Sequence, residues 1–256
     1  MQIKEHVFIV TGGASGLGEQ VVRAIIDAGG YISIFDINQK GSTSLVDEYT
    51  NHVCYFPGSV DVTSESQVKE AVIKTRKHFS KNTIAGTIIC SGILNAPYQG
   101  YGPDNMLTSY SQFEHIIKVN LLGTYCVAQK VSEILLQNEP MDNDGERGII
   151  ITVASIVGLD GMVVGYGTSK AAIAGLTLPL ARELAPFGIR VMSIAPGPFD
   201  TPMVSHIPID TNRLTFPKRV GRPSEFAELV LDVIKKPMLN GSVIRLDGGL
   251  RASNFT

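Results

Sequence analysis

Continuous apolar runs alternate with amphipathic segments along most of the chain. The runs His6 to Thr11, Tyr31 to Phe35, Val53 to Phe56, Ala85 to Cys90, Gly148 to Val153, Ile189 to Ile194 and Val243 to Leu246 predict strands. Unbroken apolar strands of this kind are buried on both faces, as in parallel sheets. Between them, Leu17 to Ala28 places Leu17, Val21, Val22, Ala24, Ile25 and Ala28 at helical spacing. A more polar helix follows Asp36, and the next, from about Ser64, carries Val68, Ala71, Val72 and Thr75 on one face. Further helices are predicted over Tyr110–Leu136, Tyr166–Ala185 and Ser224–Lys235. Strand–helix alternation with short connections predicts an α/β chain. It forms one doubly wound (Rossmann) domain over residues 1–256, with about seven parallel strands and helices on both faces. No linker or composition shift divides it. Ligands in such sheets bind beyond the carboxyl ends of the strands, where strand order reverses. The irregular stretches 94–109 and 197–222 both follow strands, so they are expected at that edge as substrate loops.

Composition narrows the function classes. With 256 residues, 44% hydrophobic and 18% charged, the chain is long enough for one sizeable core. A formal charge of −2 without a basic block favours neither nucleic acid nor an anionic membrane as partner. No apolar run reaches a membrane span, and no cleavable presequence is evident, which makes cytosol the default compartment. Cys54, Cys90 and Cys126 stand in apolar stretches and read as reduced thiols, two or three of them buried. His6, His52, His78, His115 and His206 are scattered without partners at ligand spacing, so no metal is expected.

Candidate chemistry starts at the first strand-to-helix turn. Gly12, Gly16 and Gly18 allow a tight turn and close approach to a pyrophosphate, which a helix N-terminus attracts. Asp36 closes the second strand, where a carboxylate bonds both ribose hydroxyls of an adenosine and repels a 2′-phosphate. Neither Ser15 nor Ile37 is basic, which favours NAD over NADP. Asp61-Val62 follows the third strand. It reads equally as an adenine contact or as a turn signal for the next helix. Tyr166 and Lys170 stand at i and i+4, one above the other on a helix. The ammonium favours the phenolate and lowers the tyrosine pKa from about 10. General acid–base work near neutrality needs a shift of roughly 2–3 units, or about 3–4 kcal/mol.

Together these pieces carry a resemblance. The Thr11–Gly18 turn, Asn120, Ser155, Tyr166-x-x-x-Lys170 and Pro196-Gly197 with Thr201 stand in the order of the short-chain dehydrogenase/reductase family, and the likeness covers essentially the whole chain. The stretches Thr177–Arg182, Leu184–Met192 and Asn240–Gly248 resemble a branch of that family acting on 3-hydroxyacyl-CoA and hydroxysteroids. The resemblance implies an oxidoreductase interconverting a secondary alcohol and a ketone with NAD. Tyr166 would be the base, Lys170 would tune it and bind the nicotinamide ribose, and Ser155 would hold the substrate oxygen. Asn120 would sit at a distortion in the long helix and anchor a water leading from Lys170 to solvent. Ser15, Leu17, Asp36, Asp61, Val62, Cys90, Gly92, Pro196 and Phe199 would line the NAD site, with Thr201 at the carboxamide end. A homotetramer is implied as well, and a mitochondrial setting becomes an alternative to cytosol.

Two departures from the family pattern are visible. Ile89-Cys-Ser-Gly92 stands where the family usually has Asn-Asn-Ala-Gly. Residues 156–165 between Ser155 and Tyr166 form a segment two residues shorter than is common. Gly158, Gly161 and Gly165 are expected to give that segment the freedom to absorb the loss. An ångström of misplacement at Ser155 would cost about a hundredfold in rate. Leu94, Tyr98, Tyr101 and Met106, with Met203, Val204, Ile207, Leu214 and Phe216, favour an apolar substrate. Lys218 and Arg219 are candidates for CoA phosphates, though solvated surface charge is the better reading. An NAD-binding scaffold with little turnover and a 3-oxoacyl-carrier-protein reductase are the competing readings. Asp36 disfavours the latter, because such reductases in this family usually use NADPH.

Overall fold

The computed structural model describes residues 1–94, 108–205, 209, 211 and 214–251. Tyr98, Tyr101, Met106, His206 and Ile207 lie outside them. The strands are β1 (Val7–Thr11), β2 (Tyr31–Phe35), β3 (Cys54–Tyr55), β4 (Ile84–Ile89), β5 (Gly148–Val153), β6 (Ile189–Pro196) and β7 (Val243–Leu246). They form one parallel sheet in the order β3-β2-β1-β4-β5-β6-β7. The helices are α1 (Gly16–Asp27), α2 (Gln39–Tyr49), α3 (Glu65–His78), α4 (Tyr110–Ile117), α5 (Thr124–Leu135), α6 (Ile156–Leu159), α7 (Val164–Leu184) and α8 (Pro223–Lys235).

Alternate side chains of each central strand enter opposite cores. Phe8 and Val10 of β1 pack with Val21, Val22 and Ile25 of α1 and Phe226, Val230 and Val233 of α8. Val7 and Ile9 of the same strand pack with Val68, Ala71 and Val72 of α3, Val127 and Val131 of α5 and Leu180 of α7. Burial on both faces is why these strands read as unbroken apolar runs. The order reverses between β1 and β4, so the cleft at their carboxyl ends is where a ligand is expected.

The predicted helix over Tyr110–Leu136 is interrupted. A π-helical turn, Lys118–Gly123, separates α4 from α5. There Thr124 Oγ1 donates to the Asn120 carbonyl (2.6 Å), and a Cβ on Gly123 would lie 2.7 Å from Val62 Cγ2. The short helix α6 is an element that sequence periodicity does not predict. Of the cysteines Cys54 is fully buried, whereas Cys90, just past β4, and Cys126, in the first turn of α5, are partly buried. Among the described residues no helix is long and apolar enough to cross a membrane.

Candidate active site

The glycine turn is built for close approach. Gly12 has φ +63°, and a Cβ there would lie 2.9 Å from Ser91 N, so both conformation and space call for glycine. At Gly18 a Cβ would lie 2.1 Å from the Gly12 carbonyl oxygen, which lets α1 start hard against β1. Ser15 is the N-cap of α1 in an extended conformation, and its side chain makes no capping bond. The turn therefore presents helix-start amides, which suit a pyrophosphate. Behind it, Thr11 Oγ1 donates to Ser91 Oγ (2.8 Å) and accepts from Ser91 N–H (3.1 Å). The Ser91 departure thus adds a tie between β1 and the end of β4.

Asp36 leaves β2 beside this turn. Its Oδ2 accepts from Ala14 N–H (3.0 Å) and its Oδ1 from Asn38 N–H (2.8 Å). The carboxylate is held by backbone and retains acceptor capacity on both oxygens, which fits a ribose diol. The N-cap of α2 is Asn38, not Asp36. Asp61 accepts from Thr63 N–H (2.8 Å) in a turn ahead of Ser64, which caps α3. Asp61 thus serves the turn ahead of α3, and both Asp61 and Val62 also line the cleft.

The cleft is a cavity of about 550 Å³. Its wall gathers Gly12, Ser15, Gly16, Leu17, Gly18, Asp36, Asp61, Val62, Cys90, Gly92, Tyr166, Lys170 and Thr201 from across the sequence. Sequence reasoning missed Ile93, His115, Lys118, Val119 and Pro202 in that wall. Helical spacing of His115, Lys118 and Val119 was the available signal, since i, i+3 and i+4 share one helix face. Phe199 lies outside the wall. Its ring packs edge-on to Phe226 (6.3 Å, 79°) and borders a neighbouring cavity of about 230 Å³. Pro196 ends β6 and is buried.

Tyr166 occupies the first turn of α7, half-buried, with the Lys170 ammonium 5.7 Å from its ring centroid. Lys170 is 4% exposed and donates to the Val153 carbonyl at the end of β5 (2.7 Å). Burial pushes its pKa down to about 8, with Cys90 opposing weakly. Burial likewise pushes the Cys90 thiol up to about 12, so it stays protonated. Asn120 is fully buried behind the cavity. Its Oδ1 accepts from Ile93 N–H (2.8 Å), and its Nδ2 donates to Ile93 O (3.0 Å) and Ser169 Oγ (3.0 Å). Ser169 in turn donates to the Tyr166 carbonyl (2.7 Å). The π turn therefore holds both the β4 loop and the helix turn that carries Tyr166. Ser155 is the N-cap of α6, 6% exposed, and its Oγ accepts from Val157 N–H (3.2 Å). That bond uses a lone pair and leaves its O–H available.

The shortened segment does not behave as its glycines suggest. Only Gly161, with φ +72° and no neighbour within 4 Å, is a free turn residue. A Cβ on Gly158 would lie 2.4 Å from Ala171 N, and one on Gly165 would lie 2.8 Å from Ile116 Cδ1. Both are packing positions.

Tyr166 and Lys170 line the cleft, whereas Ser155, capping α6, is not among its lining residues. The family profile described as short chain dehydrogenase matches residues 6–212. The chain is 39% identical to the 3-hydroxyacyl-CoA dehydrogenase type-2 of Rattus norvegicus, covering 97% of this chain and 96% of that one. It is 38% identical to the ipsdienol dehydrogenase of Ips pini, covering 98% and 99%. Among solved structures, the 3-hydroxyacyl-CoA dehydrogenase type-2 of Mycobacterium avium superposes with a TM-score of 0.88 at 32% identity, covering 96% of each chain.

Proposed function

The chain belongs to the short-chain dehydrogenase family, an oxidoreductase acting on CH–OH, and on that premise we propose that it interconverts a secondary alcohol and a ketone with NAD, a short 3-hydroxyacyl-CoA being the first substrate. The observation that carries this reading is the pairing of Tyr166 with buried Lys170 in the wall that also contains Asp36.

The glycine turn and Asp36 would hold the cofactor, with Cys90, Gly92 and Thr201 along its nicotinamide half. When bound, NAD supplies the acceptor for the hydrogen leaving the carbinol carbon with its electron pair. Tyr166 takes the hydroxyl proton. The Lys170 ammonium favours the phenolate, and the Ser155 O–H donates to the substrate oxygen as it becomes a carbonyl. Asn120 holds the β4 loop and the start of α7 in register with each other. Asp36 supports NAD rather than NADP, because a 2′-phosphate would meet a carboxylate already fixed by two backbone amides. A homo-oligomer completes the reading. Leu122 (56% exposed) in the π turn, Tyr125 on α5 and Leu178 on α7 present apolar side chains suited to a second copy.

Steady-state reduction of acetoacetyl-CoA tests the reading, with NADH and NADPH compared and Tyr166→Phe run in parallel. NADH-dependent turnover that falls about a thousandfold in the variant is expected. Equal rates with NADPH would overturn the cofactor assignment. Unchanged turnover in Tyr166→Phe would overturn the role of the tyrosine. Ipsdienol belongs in the substrate panel, given the second relative.

A further inference from the structure

Between the two side chains proposed for proton transfer and substrate binding, the chain is short and holds one residue in a strained backbone conformation. Val163, the N-cap of α7, has φ +51°, a left-handed conformation that a β-branched residue rarely adopts. Four residues on, Gly167 lacks the Cβ that would lie 1.8 Å from the Met162 carbonyl oxygen, so the segment packs backbone to backbone on the helix it enters. Such strain persists only where the surroundings over-determine it. What opposes it sits on β7. Arg245 Nη1 and Nη2 donate to the two oxygens of Asp160 (2.6 and 2.9 Å). The same guanidinium donates from Nε to Asp247 Oδ2 (2.6 Å) and from Nη2 to the Leu250 carbonyl (2.8 Å). Asp160 is 10% exposed, Asp247 6% and Arg245 22%, so these are partly buried ion pairs with fixed geometry. A small apolar cluster joins the same pieces: Ile156 of α6, Leu214 of the 197–222 stretch and Leu250 after β7, all buried.

We infer that Arg245 is a positioning residue for the Ser155–Tyr166 pair. Resting on the function proposed above, it sets the distance between the two by clamping the shortened segment through Asp160. The bidentate contact fixes where the turn after α6 lies, and α6 fixes Ser155, whose Oγ caps its first turn. Arg245 touches neither cavity nor reacting atoms. Its effect reaches the chemistry only through the segment.

The test uses Arg245→Met, Arg245→Lys, Asp160→Asn and the Arg245→Met/Asp160→Asn double variant in the full chain. Three quantities are read on each: NADH affinity by fluorescence, kcat and KM with acetoacetyl-CoA, and amide hydrogen exchange over residues 156–165. Arg245→Met and Asp160→Asn are expected to lower kcat by about ten- to a hundredfold. NADH affinity should stay within about twofold. Exchange should accelerate in 156–165 and not in β1, β4 or β5. The double variant should lose no more than the worse single one, the sign of a shared interaction. Arg245→Lys should recover part of kcat. Unchanged exchange in 156–165 overturns the clamp, whatever happens to turnover. Faster exchange with unchanged kcat overturns its positioning role. A parallel fall in NADH affinity shows a merely structural residue. A wild-type chain that binds NADH but turns over no alcohol or ketone in the panel overturns the function itself, and the positioning role falls with it.

Discussion

Lys170 is a charged group that the fold holds at a cost. Its pKa in the folded chain is about 8, against the ordinary 10.5, and burial is the main cause. Between about pH 8 and 10.5 the unfolded chain binds this proton and the folded chain does not, so stability rises with pH through that window. Below pH 8 both states carry the charge and the full penalty stands, about 3 kcal/mol. Lys170→Met also loses the bond to the Val153 carbonyl. It is therefore expected to gain about 1–3 kcal/mol in urea unfolding at pH 7, with the advantage shrinking toward pH 10, while turnover disappears. A methionine variant no more stable at pH 7, or an advantage independent of pH, would sink this account. Asp36, the glycine turn and the Tyr166–Lys170 pair were legible in the sequence because each depends on local spacing. Asp160 and Arg245 were not, because nothing in the residues around either one indicates a partner across the fold.

Element edges followed their local signals. β2, β5 and β7 coincide with their apolar runs, while β3 is only Cys54–Tyr55, shorter than Val53–Phe56, and pairs on one side alone. The π turn is invisible to apolar spacing, which reads as ordinary helix; the distortion expected at Asn120 came from the family resemblance alone. Its cause is tertiary: Gly123 lies against Val62 and Asn120 is drawn to the Ile93 backbone. α6 escaped because four residues hold too little periodicity to register. At this scale Gly158→Ala is the decisive substitution, because its Cβ would meet the backbone of α7 rather than a flexible side-chain end. It should cost about 2–3 kcal/mol in chemical denaturation and lower kcat. Gly161→Ala in the same segment should cost only about 1 kcal/mol, from its left-handed φ. Equal costs at the two positions would show that the segment yields where close packing is expected to resist.

For the whole molecule, the prediction concerns association. Leu122 in the π turn, Tyr125 on α5 and Leu178 on α7 leave large apolar side chains exposed, which suits burial against a second copy. Sedimentation should find an oligomer that Tyr125→Glu with Leu122→Glu dissociates, the fold being retained by circular dichroism. A wild-type monomer at micromolar concentration would refute this. The doubly wound topology was legible from alternation alone, whereas the packing of α8 on α1 was not, since more than 190 residues separate them. That packing governs how the chain acquires its shape during synthesis. β1 lies mid-sheet, and Val21, Val22 and Ile25 of α1 are covered only once Phe226, Val230 and Val233 have been made. Until then the earliest-made helix carries an open apolar face, and β1 offers an unpaired edge until β4 emerges. A ribosome-bound chain stalled before residue 223 should therefore be a strong client for chaperones, and release of the finished chain, not any intermediate length, should mark the point at which it becomes resistant to protease.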